Sequence, residues 1–473
     1  MRPRSALFAG QVGAAAAIGR LRELAVLADI GFGKTAATLT GLRDAGALPA
    51  LVVAPARVAE RVWHVEAAEW EHLADLVVTP LGTGDERRRI LVGQPQADVE
   101  TISYEALVGQ PDLRKNPWTG LTDEVRLEDR YQAIVFDELA RMKAPGTQRF
   151  RRLRAHAEGI RTRVGLTGSP VPNHLLDLWG EMFMVAGAKP LGRTYSDYKL
   201  RYFEPVDYLQ RQWRLKGMTE GGDHTPASAA LEREIFTRVA PWCFAPPPAP
   251  PGTIPPVRVN EVDVPMPAAL ERKQAQLVKE LYTILDSGTE LEAIQASTLA
   301  IKLRQFASGA VYTDKQGTWE ELHGAKVAAL DEVLGELQGE PALVFYWYRH
   351  EAERVSAMLH RTGRTHALAD EPGAIDRWCA RKLEVLLAHP QSAAAGLNLQ
   401  AGGHHAVWFT LSWAGWHWSQ GNGRLARTGQ RAPLVTATVL LCGPADRRVL
   451  ASLRRKADAE VALFASLRLD DLM

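Results

Sequence analysis

The stretch Ala28-Asp29-Ile30-Gly31-Phe32-Gly33-Lys34-Thr35 constrains this chain more than any other. The apolar run Ala25-Val26-Leu27 leads into it, and the helix-forming run Ala36-Ala37-Thr38-Leu39 leads out. That is the layout of a strand, a glycine turn and a helix opening at its N-terminus. Glycine lets backbone N–H groups close around a phosphate, and the helix dipole favours the anion. In this layout Gly31 and Gly33 shape the cradle, Lys34 reaches the β- and γ-phosphates, and the Thr35 hydroxyl holds Mg²⁺. The full pattern has another glycine where this chain has Ala28, so the loop has meaning only if the rest of an ATPase follows.

A chain of 473 residues is long enough for two large domains or three ordinary ones. Its net charge of +1 excludes a bulk electrostatic binder of nucleic acid, so any such site is a local patch. Cys243, Cys379 and Cys442 lie too far apart for a disulfide framework or a zinc cluster, and a reducing cytoplasm fits. No apolar run approaches the roughly 20 residues of a membrane helix. The Val12–Ile18 stretch is too weakly apolar to be the core of a signal peptide.

Periodicity predicts a helix from Ala6 to Leu24, with Gln11 inside it, ahead of the phosphate loop. Short apolar strands are expected at 51–55, 76–78, 99–102, 133–136 and 164–167, with helices at 60–70 and 149–156. Such alternation means a doubly wound α/β domain with its ligands at the carboxyl ends of the strands, where Gly31, Asp137 and Thr167 fall. Residues 186–240 break the rhythm and suit a helical insertion. The proline-rich run 246–257 suits a stiff linker, which closes a first domain at about 245. From 258 to 473 a second domain of similar size is expected. Its helical segment lies at about 268–310, and its strands at 342–346, 385–388, 406–409 and 435–441.

Asp137-Glu138 ends an apolar strand and forms the second element of an ATPase. One carboxylate, Asp137, orients Mg²⁺, and the other, Glu138, polarises the attacking water. Thr167 and Ser169, in Thr167-Gly168-Ser169-Pro170, are small hydroxyl residues placed to sense the γ-phosphate, although the same residue types also make plain turns. In the second half, Gln420 opens Gln420-Gly421-Asn422-Gly423-Arg424-Leu425-Ala426-Arg427. Arg424 and Arg427 are three apart, which on a helix places both guanidinium groups on one face. From there they can serve as arginine fingers, a role worth about 10³–10⁵ in rate in phosphoryl transfer.

These residues together resemble the superfamily-two helicases of the Swi/Snf-like branch, the double-stranded DNA translocases, and more narrowly their compact bacteriophage and prophage forms. The resemblance runs in order along nearly the whole chain. Gln11 stands where the family reads adenine, and Gly31 to Thr35 stand at its phosphate loop, where the Ala28 position tolerates a non-glycine. Val53-Ala54-Pro55 matches the next motif, Asp137-Glu138-Leu139-Ala140 the Asp-Glu box, and Thr167 to Pro170 the coupling motif. Leu303-Arg304-Gln305 with Ser308-Gly309, His389-Pro390, Gly396 to Gln400, and Gln420 to Gln430 match the later motifs. The resemblance implies two RecA-like domains with helical insertions, ATP and Mg²⁺ as cofactors, and cytoplasmic work on duplex or branched DNA, with a monomer as the expected state. It implies strand contacts from Arg57, from Ser103 with Tyr104, and from Asn398, and an ATP-site role for Gln420. The box ends in Leu139-Ala140 rather than Ala-His, which removes a histidine that could couple ATP to DNA. Gln11 follows a glycine rather than an aromatic residue.

Two arginine clusters, Arg149 to Arg154 and Arg447 to Lys456, are either DNA contacts or solvated helix faces. Trp408, Trp413, Trp416 and Trp418 are either stacking platforms or core. His404-His405 lacks partners at metal spacing and is expected in a loop. Competing functions are an RNA-dependent helicase, an ATP-gated binding module of a restriction, repair or recombination assembly, and a small-molecule kinase, which would leave the second α/β half unexplained.

Overall fold

The computed structural model describes residues 1–28, 31–82, 95–109, 127–168, 175–206, 213–219, 224–247, 250, 252–272, 276, 301–314, 316–393 and 397–454. They fall into two compact units that part at Pro250–Pro251, inside the proline-rich run.

In the first unit the strands are β1 Glu23–Leu27, β2 Ala50–Ala54, β3 Val78–Pro80, β4 Val99–Ser103, β5 Ala133–Asp137, β6 Thr162–Thr167, β7 Phe203–Pro205, β8 Trp213–Leu215 and β9 Cys243–Phe244. Seven of them form one sheet in the order β3-β4-β2-β5-β6-β1-β9, every pair parallel. Successive residues of a strand point to opposite faces. Leu51, Val53, Ile134 and Phe136 accordingly enter one apolar core, and Val52, Val135, Val164 and Leu166 enter the other. Burial on both faces is why these strands are continuous apolar runs rather than alternating ones.

The helix before the loop spans Ala9–Leu21, and Leu24 belongs to β1 rather than to that helix. Its alanines allow a close approach to the helix Lys34–Asp44. A Cβ on Gly41 would lie 2.8 Å from the Ala15 carbonyl oxygen and 3.0 Å from Ile18 Cβ. The expected strand at Leu76–Val78 begins only at Val78. Within 186–240 the helices Tyr195–Tyr202 and Pro226–Val239 flank an antiparallel hairpin of β7 and β8, an element the polar sequence does not announce.

The second unit holds β10 Val257–Asp263, β11 Ala310–Tyr312, β12 Trp319–Glu321, β13 Ala342–Phe345, β14 His366–Leu368, β15 Val385–Ala388, β16 His405–Trp408 and β17 Val435–Leu441. Six make a second wholly parallel sheet, β10-β17-β16-β13-β15-β14, and β11 and β12 pair as a separate hairpin. Its faces are again both covered. Leu343, Phe345 and Leu386 enter one core, and Val344, Val385 and Leu387 the other. The expected α/β class with two doubly wound parallel sheets is the architecture observed. His405 opens β16 rather than lying in a loop, because its register against Ala342 and Thr436 draws it into the sheet. Most of the expected helical segment at about 268–310 lies outside the described residues, which resume with a helix at 301–308.

Candidate nucleotide and nucleic-acid site

At the carboxyl end of β1 the chain turns through Gly31 and Gly33, with φ of 83° and 81°. L side chains are disfavoured in that left-handed region, and at Gly33 a second constraint acts. A Cβ there would sit 2.4 Å from Gln11 Nε2. Gln11 is buried and bridges the loop to the helix before it. Its Nε2 donates to the Phe32 carbonyl at 3.0 Å, and its Oε1 accepts from the Phe8 amide at 3.2 Å. Phe8, at the start of that helix, meets the Phe32 ring edge-on at 5.0 Å. Lys34 opens the helix Lys34–Asp44 and donates from Nζ to the Ala28 carbonyl at 2.7 Å. Thr35, next on the helix, is half-buried.

β6 separates β1 from β5, so the loop, Thr167 and Asp137 emerge from three adjacent strand ends. Thr167 is buried and pairs with Leu27 in register, and its carbonyl accepts from the Ala28 amide at 3.1 Å. Ser169 lies outside the described residues. Asp137 Oδ2 accepts from the Trp63 indole N–H at 3.1 Å, and the Asp137 main-chain carbonyl accepts from the Tyr104 hydroxyl at 2.8 Å. Burial, and then the neighbouring Glu138, push the Asp137 carboxyl up to about 6, against the pull of Trp63 and Lys34. Glu138 has φ of 61°, a left-handed conformation for a residue with a side chain. Such a residue costs of order 1–3 kcal/mol, and strained residues of this kind cluster at functional sites.

A half-buried carboxyl raised by desolvation and by a second carboxylate suits a hard divalent cation, whose charge would restore its ionised form. Asp137 and Thr35 supply oxygen donors of the right kind, and the glycine cradle beside them suits a polyphosphate. Among the described residues no group of three or more His, Cys, Asp or Glu side chains is arranged to hold a metal ion, so a cation here would share its coordination with phosphate and water.

Arg57 stands half-buried on the helix Ala56–Arg61 after β2, and Ser103 ends β4. The two strands are neighbours, with Ala54 opposite Ser103. The Ser103 hydroxyl accepts from the Ala106 amide at 3.1 Å and caps the helix Tyr104–Val108. In the arginine cluster, Arg149 pairs with Glu105 at 3.1 Å, Arg151 donates to the Gly146 carbonyl, Arg152 to the Val108 carbonyl, and Arg154 lies over the Phe183 ring.

In the second unit Arg424 and Arg427 are not on a helix. The helix Gly415–Asn422 stops before them, and they lie in the turns that follow. Gly421 and Gly423 are poor helix formers, and Leu425 must turn inward to reach the core. Gly421 is needed for closeness, since a Cβ there would lie 2.7 Å from the Trp408 ring. Gln420 and Arg424 are buried, and Arg427 donates to the Leu397 carbonyl at 3.3 Å. Asn398 is exposed beside Leu397, and Gln430 binds the carbonyls of Gln400 and Gly403 at 3.1 and 2.9 Å. The arginine turn and the Asn398 loop are therefore one bonded patch. Gly396 lies outside the described residues.

The tryptophans divide. Trp408 is buried, with its ring 4.3 Å from Phe345 and 5.1 Å from Trp418, whereas Trp413 is 43% exposed and Trp416 half-buried. Arg304 is buried with its guanidinium 5.4 Å from the Trp347 ring. Arg447 pairs with Asp263 and Arg454 with Glu261, and the rest of that cluster from Arg455 lies outside the described residues. Sequence reasoning misses Trp63. Its only signal is a tryptophan on the helical stretch after β2, with nothing to name Asp137 as its partner.

A glycine-lysine-threonine turn and a carboxylate pair, at neighbouring ends of a wholly parallel sheet, define a phosphate-loop α/β protein. Residues 19–222 match the SNF2-related domain. Protein p41 of Acyrthosiphon pisum secondary endosymbiont phage 1 is 31% identical over 460 residues, covering 94% of each chain. The DNA excision repair protein ERCC-6-like of Danio rerio is 28% identical over 220 residues, which is 45% of this chain and 14% of that protein. The Sulfolobus solfataricus SWI2/SNF2 ATPase core in complex with dsDNA matches with a TM-score of 0.43 at 18% identity, covering 99% of this chain and 95% of that one. The chain belongs to the Swi/Snf-like branch of the superfamily-two helicases, and its relative p41 is of phage origin.

Proposed function

We propose that this protein is a DNA-dependent ATPase that converts ATP hydrolysis into movement along duplex DNA. The observation that carries the reading is the Gly31-Gly33-Lys34 turn at the end of β1 set two strands from the Asp137-Glu138 pair at the end of β5. Mg²⁺, held by Thr35 and Asp137, neutralises phosphate charge when bound. Gly31, Gly33 and Lys34 hold the phosphates, and Gln11 fixes the loop against its helix and reads the base. Glu138 orients the attacking water and takes its proton. Arg424 and Arg427 supply positive charge to the terminal phosphate in the transition state. Thr167 and Ser169 report the state of that phosphate to the rest of the sheet.

Arg57, Ser103 and Asn398 contact DNA phosphates, which position the protein without reading sequence. Local contacts of this kind are compatible with a net charge of +1. The motor works as a monomer in the cytoplasm of a bacterium or a phage-infected cell. ATPase rates on duplex, single-stranded, forked and branched DNA and on RNA test this. Stimulation by duplex DNA supports the reading, and stimulation by RNA alone replaces it with the RNA helicase. Lys34→Ala should end turnover. Glu138→Gln should keep ATP binding and stop hydrolysis. Loss of binding in that variant would move the role elsewhere.

A further inference from the structure

The strand end that carries Asp137 is bonded to two segments that leave other strands. Trp63 is wholly buried on the helix Trp63–Ala68 and donates to Asp137 Oδ2. Tyr104 is buried directly after β4 and donates to the Asp137 main-chain carbonyl. Further contacts hold these segments in place. Arg141, four residues past Asp137, pairs with Glu105 at 3.1 Å and lies 5.6 Å from the Tyr104 ring centre. The Thr101 hydroxyl on β4 donates to the Ala59 carbonyl, which locks β4 to the helix Ala56–Arg61.

Arg57 lies on that helix, and Ser103 is the residue before Tyr104. Ser103 leads directly into Tyr104, and the Arg57 helix leads through Val62 into the helix of Trp63, so both candidate phosphate contacts lie one short segment from a donor to Asp137. Leu139 is packed in the core and Ala140 has no polar group.

We propose that Trp63 and Tyr104 are positioning residues that transmit a DNA contact at Arg57 and Ser103 to the Asp137 carboxylate. Trp63 fixes the direction of the carboxylate, and Tyr104 fixes the height of the strand end. The inference rests on the nucleotide and DNA reading above, and it assigns to two aromatic donors the coupling that a histidine in the box would provide. Coupling of this kind is reciprocal, so DNA must tighten the nucleotide by the same factor as the nucleotide tightens DNA.

The test measures that factor in the full chain. A fluorescent, non-hydrolysable ATP analogue with Mg²⁺ is titrated with and without a short duplex, and the duplex with and without the analogue. The wild type should give about a tenfold ratio in both directions. Tyr104→Phe, which removes only one oxygen, and Trp63→Phe should each bring the ratio to about one, with melting curves checking the fold. An unchanged ratio in Tyr104→Phe overturns the proposal, and this holds even if Trp63→Phe fails to fold. A wild-type ratio of one with intact nucleotide binding overturns it too. A wild type that binds no nucleotide overturns the ATPase reading itself, which is a different failure.

Discussion

Gly33→Ala tests the geometry of the phosphate loop directly. At φ of 81° an alanine is in the left-handed region, at a cost of about 1–2 kcal/mol. Its Cβ would also lie 2.4 Å from Gln11 Nε2, so the Gln11 amide must leave the Phe32 carbonyl. A lost buried hydrogen bond adds about 1 kcal/mol. The expected total is about 2–3 kcal/mol, concentrated where the helix Ala9–Leu21 meets the loop. Two units preclude a single unfolding free energy, so the assay is hydrogen exchange read on peptides from residues 9–44. The same substitution in a Gln11→Ala background has no amide to displace and should cost only the backbone part. The coupling between the two positions should therefore be about 1 kcal/mol. A coupling below about 0.3 kcal/mol, the usual scatter of independent sites, would refute the contact.

Glu138→Asn should end ATP turnover yet stabilise the first unit by about 0.5–1 kcal/mol, because asparagine tolerates φ of 61° and a charge beside Asp137 is removed; calorimetry showing an earlier transition for that unit would refute the strain. Lys326 and Asp446 form a buried pair at 2.7 Å, so Lys326→Met should destabilise the second unit by about 3–5 kcal/mol, and adding Asp446→Leu should recover much of it in urea titrations. Burial, helped by Arg354, pushes His350 down to about 4, and neither ring nitrogen has a hydrogen-bond partner among the described residues. With the folded value below the unfolded 6.5, the stability tied to its neutral form is complete above 6.5 and is lost as pH falls towards 4. His350→Phe should flatten the acid limb of the melting curve over that window, and an unaltered limb would exclude His350 as its source.

Strands buried on both faces were readable because nothing but apolar side chains fits there, as Leu51–Ala54 and Ala133–Phe136 show. The strand β10, Val-Arg-Val-Asn-Glu-Val-Asp, was not, since it is an edge strand whose exposed face accepts charge and whose register is set by β17. The same limit applies to Arg424 and Arg427. Their spacing fits a helix, but the fit of Gly421 against Trp408 and the inward turn of Leu425 are tertiary facts. The phosphate-loop glycines were readable because a positive φ leaves a mark on residue type. The bond from Trp63 to Asp137 joins positions 74 apart, and no local pattern records it.

The glycine at 41, flush against Ala15, has a consequence for how this gene can vary. With no clearance between those two helices, any added methyl at the seam would lever Gln11 off its loop. An alanine-rich stretch that looks permissive should therefore tolerate replacement poorly at Ala14, Ala15 and Ile18, and freely at its outward positions such as Val12. A saturation library across residues 9–21 would display that seam as a stripe of intolerance along one side of the helix.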